Sequence, residues 1–134
     1  EITYGDWSSD VCSSDLPDGW TARQVIHHVA DSHINAYTRF KLALTEKIPT
    51  IKPYNEKAWA TLPDSFTDIQ VSLDIITALH HRWLLVMENM SAEDWKKLYY
   101  HPEANSTLSL DWALDLYAWH CRHHLGHLKI CAAK

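Results

Sequence analysis

From Thr21 onward the chain alternates long stretches of helical periodicity with short polar or proline-bounded connectors. Val25, Ile26, Val29, Ala36, Tyr37, Phe40 and Leu44 recur at the three- and four-residue spacing of a helix with one apolar face. Thr21 precedes them and Gln24 follows three residues later, a capping-box signature for a helix start. Pro49 cannot sit in the continuation of that helix, so the pattern predicts an end near Lys47. A second stripe, Ile69, Leu73, Ile76, Leu79, Trp83, Val86 and Met90, predicts a helix from about Thr67 to Met90. A third helix is expected from Leu110 to Ala132, capped by Ser109, with Asp111 favourably placed in its first turn.

The connectors are distinct. Residues 48–64 carry Pro49, Pro53 and Pro63, and Glu56 to Leu62 suits one or two helical turns. Ser91 and Asp94 resemble another capping box opening a short turn over 92–98. Residues 98–108 read as irregular, with a small hairpin around Glu103 to Ser106. The expectation is an all-α bundle.

The first sixteen residues, EITYGDWSSDVCSSDL, fit none of this. They lack an apolar period and contain neither Lys nor Arg. Asp6 to Leu16 reads as the translation of a common sequencing-library adapter, so 1–16 are set aside as non-native and 17–134 are taken as one domain. An up-down bundle needs four helices, and the pattern supplies three. A first helix is therefore expected to have preceded Pro17.

Composition narrows the function. The 134 residues suffice for one domain, and 46% are apolar, so a core can form. The formal charge is -5, and about -1 without the first sixteen residues, with no basic face for nucleic acid. No run of about 18 apolar residues predicts a membrane span. Cys12, Cys121 and Cys131 match neither a C-x-x-C spacing nor a disulfide framework, which suits a reducing cytoplasm.

Ten histidines are the unusual feature, and seven fall in two short clusters. His120 and His124 lie four apart on the third helix, so their imidazoles face one direction. Such a pair can bind one divalent ion at about 2.0–2.1 Å per nitrogen. His123 points elsewhere, and His127 is one turn along the same stripe. On the first helix His28 faces the inner stripe, whereas His27 lies about 100° round, toward the exposed side. His28 can thus supply a third ligand across an antiparallel bundle. A single helical histidine is more often a surface or hydrogen-bonded core residue. Three buried imidazoles, however, need partners, and one ion supplies them.

The stretches GWTARQVIHHVADSH, RFKLALTE, IKPYNEKAW and LDWALDLYAWHCRHHLGHL together resemble the DinB-like superfamily, and within it the YfiT-like proteins grouped as metal-dependent hydrolases. The likeness runs from Gly19 to Leu128. It implies a four-helix bundle, a homodimer, and one zinc or nickel ion per chain. The ligands it implies are the second His of W-T-x-x-Q-V-x-H-H, here His28, and the first and last of H-x-x-H-H, here His120 and His124. The family's first helix has no counterpart in this sequence. Some relatives transfer the thiol bacillithiol, so a metal-dependent thiol S-transferase is the alternative to a hydrolase acting with water. A non-catalytic metal-binding bundle is the third reading.

Asp31 and His127 are candidates for orienting the site or transferring a proton. His33 is a weak ligand candidate, near 140° from His28. Arg39 shares the His28 stripe about three turns on and suits either an anionic substrate or, more simply, a salt bridge. Tyr54, Glu56 and Trp59 are placed to wall a pocket, and Tyr117 and Trp119 read as core. His80, His81 and His101 read as surface residues or supports of the site. The substrate is expected to be a small molecule, including a low-molecular-weight thiol for the alternative.

Overall fold

The computed structural model describes residues 19–133. The adapter-like segment, with Cys12, lies outside them.

Helix α1 (Ala22–Thr45) begins at the capping box expected from the sequence: the Thr21 hydroxyl accepts from the Gln24 amide, and the Gln24 side chain accepts from the Thr21 amide. It stops two residues earlier than expected. The Glu46 amide closes on the Leu42 carbonyl, and Ile48 adopts a φ of 45°, which no continuing helix tolerates. Pro49 to Ile51 then run extended beside Tyr100.

Helix α2 (Glu56–Trp59) is a single turn capped by Asn55, followed by a 3-10 turn at Pro63–Phe66. Helix α3 (Ile69–Glu88) starts two residues after the expected Thr67, capped by Asp68. Helix α4 (Ala92–Trp95) carries the expected Ser91–Asp94 capping box. The stretch expected to be largely irregular forms a regular hairpin, β1 (Leu98–His101) paired antiparallel with β2 (Ser106–Ser109). Helix α5 (Leu110–Ala132) follows directly. The Ser109 side chain does not cap it. Its hydroxyl donates to Asp111, whose carboxylate accepts the Trp112 amide instead.

Helix α1 packs against both α3 and α5, and those two meet each other much less. The core lies at the hairpin end, around Phe40, Trp83, Tyr99, Leu110 and Tyr117. Phe40 meets Trp83 edge-on, with ring centroids 5.1 Å apart. The α3 stripe buries less than its periodicity suggests: only Ile69, Ser72 and Trp83 are fully covered. Trp119, expected in the core, is exposed and stacks on the His123 ring.

Candidate metal centre

His28 sits two turns into α1, on the face opposed to α5. His120 and His124 sit one turn apart on α5. The His120 Nε2 atom is 3.3 Å from Nε2 of His28 and 3.0 Å from Nε2 of His124. All three donor atoms lie within 4.8 Å of one another. Three nitrogens at tetrahedral positions, each about 2.0–2.1 Å from one ion, would stand about 3.3 Å apart. The rings cross at 68°, 75° and 86°, which turns edges inward rather than stacking faces. His28 and His124 are each 5% exposed, and the Trp20 ring, 4.8 Å from His28, covers the helix-entry side.

The electrostatics suit ligation. Burial, reinforced by His28 and His123, pushes His120 down to about 4. At neutral pH it is therefore an uncharged imidazole, the form that binds metal. Its Nδ1 is buried and makes no hydrogen bond among the described residues, so the ring contributes only through Nε2. Buried imidazoles cannot all satisfy one another through a single cluster of Nε2 atoms. A divalent ion fits this donor set: borderline-soft nitrogen ligands suit zinc and its neighbours among transition metals.

The other sequence candidates divide. His127 is buried, with its ring 5.4 Å from His124 and 4.3 Å from His123, one turn beyond the cluster. Asp31 is half-buried, but its side chain hydrogen-bonds none of the three histidines. Its carboxyl is pushed up by burial and by Asp64, with His27 opposing. Tyr54 packs on Trp59, with ring centroids 4.5 Å apart.

His27 is not on an exposed face: it is 5% exposed. Residues on both sides of the α3 start cover it, with Nδ1 2.6 Å from the Ser72 hydroxyl and Nε2 3.0 Å from the Thr67 carbonyl. It is a structural histidine with both nitrogens engaged. His33 matters more than its angle from His28 implies. It is 2% exposed and links two helices, with Nδ1 2.6 Å from Nε2 of His80 and Nε2 3.3 Å from Sγ of Cys121. Burial, followed by His80, holds it down to about 3. The sequence does carry a signal for it: His33, Ala36 and Phe40 share one buried stripe. His33, His80 and Cys121 line a cavity of about 290 Å³ beside Trp83 and Tyr117.

Comparison with known proteins identifies the family. The family model described as the DinB superfamily matches residues 12–128. A Bacillus pumilus protein named "Putative metal-dependent hydrolase" is 54% identical over 110 residues, spanning 82% of this chain and 63% of its own length. A Bacillus cereus protein of the same name is 56% identical over the same spans. The chain thus covers a little under two thirds of these relatives. A solved structure, YfiT from Bacillus subtilis, described as "a probable metal-dependent hydrolase with an unusual four-helix bundle topology", superposes with a TM-score of 0.83 at 46% identity, covering 90% of this chain and 71% of that one. The three long helices are therefore part of that four-helix fold, and the chain belongs to the DinB superfamily.

Proposed function

We propose that this protein is a metal-dependent hydrolase of small molecules, in which His28, His120 and His124 hold one divalent ion. The observation that carries the reading is the convergence of three Nε2 atoms from two helices on one point, two of the pairs at 3.0 and 3.3 Å. The names of the relatives point the same way. Zinc or nickel suits three neutral nitrogen ligands. When bound, such an ion supplies a Lewis acid that makes water nucleophilic near neutral pH.

The chain's own residues do the rest. The low pKa of His120 keeps it uncharged and ready to ligate across the neutral range. Trp20 shields His28 from solvent. His127, next to His124, and Asp31, with its raised carboxyl pKa, are the groups we assign to orientation and proton transfer. No described helix is long and apolar enough to cross a membrane, and we place the protein in a reducing cytoplasm because the spacing of its cysteines in the sequence matches no disulfide framework. We take the working form to be a homodimer, with the exposed apolar residues Trp112, Leu116 and Trp119 along one side of α5 as surface available for association.

The test is turnover by zinc- or nickel-loaded protein on panels of esters and amides, and separately on thiols with an electrophile. Ester or amide cleavage that needs both the metal and His120 supports the reading. Turnover of the thiol panel alone replaces it with a thiol transferase, and no turnover of either favours a non-catalytic bundle.

A further inference from the structure

Arg39 lies on the His28 stripe of α1, about three turns on. The simplest expectation for it is a salt bridge, and among the described residues it forms none. Its Nη1 donates to the Tyr117 hydroxyl at 3.1 Å and its Nη2 to the Lys52 carbonyl at 3.5 Å. The ion pair formed among the described residues is Lys97 with Asp94. A half-buried guanidinium whose hydrogen bonds among the described residues go to neutral acceptors has donors left for an anion.

A second observation stands beside it. The Tyr54 hydroxyl is buried and makes no hydrogen bond of ordinary geometry, although Ser32, Asp31 and Tyr117 are all close enough to bear on its ionisation. The Ser32 hydroxyl is its weak hydrogen-bond partner, and a buried hydroxyl held this loosely has capacity left for a ligand. Burial, with Glu56, also pushes its pKa up, so it stays a donor.

The helices place these groups in line with the metal cluster. Ser32 is one turn past His28 on α1, and Tyr117 is one turn before His120 on α5. Tyr54, in the connector, stands near both Ser32 and Tyr117, and the Tyr117 hydroxyl accepts from Arg39. Asp31 and Glu56 are the acidic groups near the same hydroxyls. Two carboxylates close by repel a doubly charged ligand such as a phosphate monoester about twice as strongly as a singly charged carboxylate, so the weaker anion is the better fit.

We propose that Arg39 and Tyr54 form a carboxylate-binding subsite, so that the substrate carries a free carboxylate on the Tyr117 side of the group at the histidine cluster. This rests on the metal-centre reading above, and the test separates the two.

Zinc-loaded protein is titrated calorimetrically with acetohydroxamate, which has a neutral tail, and with the mono-hydroxamates of succinate, glutarate and adipate, which carry a carboxylate at increasing distance. At least one carboxylate-tailed ligand should bind on the order of ten-fold tighter than acetohydroxamate. Arg39→Gln should abolish that advantage and Tyr54→Phe should reduce it, each with acetohydroxamate affinity unchanged. If Arg39→Gln does not fold, Tyr54→Phe carries the comparison. Equal affinity for both kinds of tail, or an advantage that survives Arg39→Gln, overturns the subsite and leaves the metal reading intact. Tighter binding of phosphonate-tailed analogues overturns the choice of carboxylate. Failure of acetohydroxamate itself to bind overturns the metal reading and the subsite with it.

Discussion

His120 and His124 bring their Nε2 atoms within 3.0 Å of each other from adjacent turns of α5. Four-residue helical spacing alone puts Cβ atoms about 5–6 Å apart; the further approach comes from both rings turning toward His28 on α1. His120 is the shared member, since both short nitrogen–nitrogen distances run through it. It is therefore the proposed ligand whose loss should matter most.

In His120→Ala the bound zinc or nickel should fall well below one ion per chain, measured after dialysis. The wild-type chain, with metal at 100 times its dissociation constant, should gain about 2.7 kcal/mol of stability by mass action, and the variant should gain little. Unchanged stoichiometry in the variant would remove the site.

Acid should destabilise the metal-free protein in a window set by two histidines, the buried His33 and the half-buried His120. Folding lowers His120 to about 4 and His33 to about 3, against 6.5 for the free side chain, chiefly through burial. Between those values the unfolded chain binds protons that the folded chain does not. The stability present above pH 6.5 is thus lost progressively as the pH falls toward 3. Each such group contributes ~1.4 kcal/mol for every pH unit below its free value, so stabilities from denaturant melts at pH 7.5 and pH 5 should differ by at least about 2 kcal/mol. A flat profile across that range would show that these imidazoles are already solvated.

Adjacent histidines on α1 should behave differently. His27 spans the Ser72 hydroxyl and the Thr67 carbonyl, tying α1 to the start of α3. His27→Ala leaves two polar groups unsatisfied and a void, so it should cost about 2–3 kcal/mol. Its metal stoichiometry should match wild type. Reduced metal binding with intact stability would mean the roles of His27 and His28 are exchanged.

Local rules make much of this legible in the sequence. Two capping boxes, the three long helices and the i, i+4 pair on α5 are set by residues within a turn of one another. What is not legible depends on partners distant in the chain. An exposed His27 is the natural expectation because its cover comes from Thr67 and Ser72, some 40 residues away. His33 gains its importance from His80 and Cys121, one on each neighbouring helix. Trp119 departs from expectation for the converse reason: nothing among the described residues packs over that side of α5. The Ser109 cap fails because Asp111, two residues on, competes for its hydroxyl.

Core and metal cluster should be separable energetically, and Phe40 tests this. It is fully buried, edge-on to Trp83 and within ring contact of Trp95. Phe40→Ala should cost about 3–5 kcal/mol, a transfer loss plus a cavity between α1 and α3. The three metal-binding candidates lie outside that cluster of packed residues, although His33, 5.9 Å from Trp83 and 6.3 Å from His120 between ring centroids, leads from one to the other. If the two regions are independent, a given excess of zinc should stabilise Phe40→Ala by the same amount as wild type, about 2.7 kcal/mol at 100 times the dissociation constant. Denaturant melts of both proteins, with zinc and with chelator, measure that difference. A markedly smaller gain in the variant would mean that the cavity reaches the histidine cluster through His33 and that the site depends on the aromatic core for its geometry.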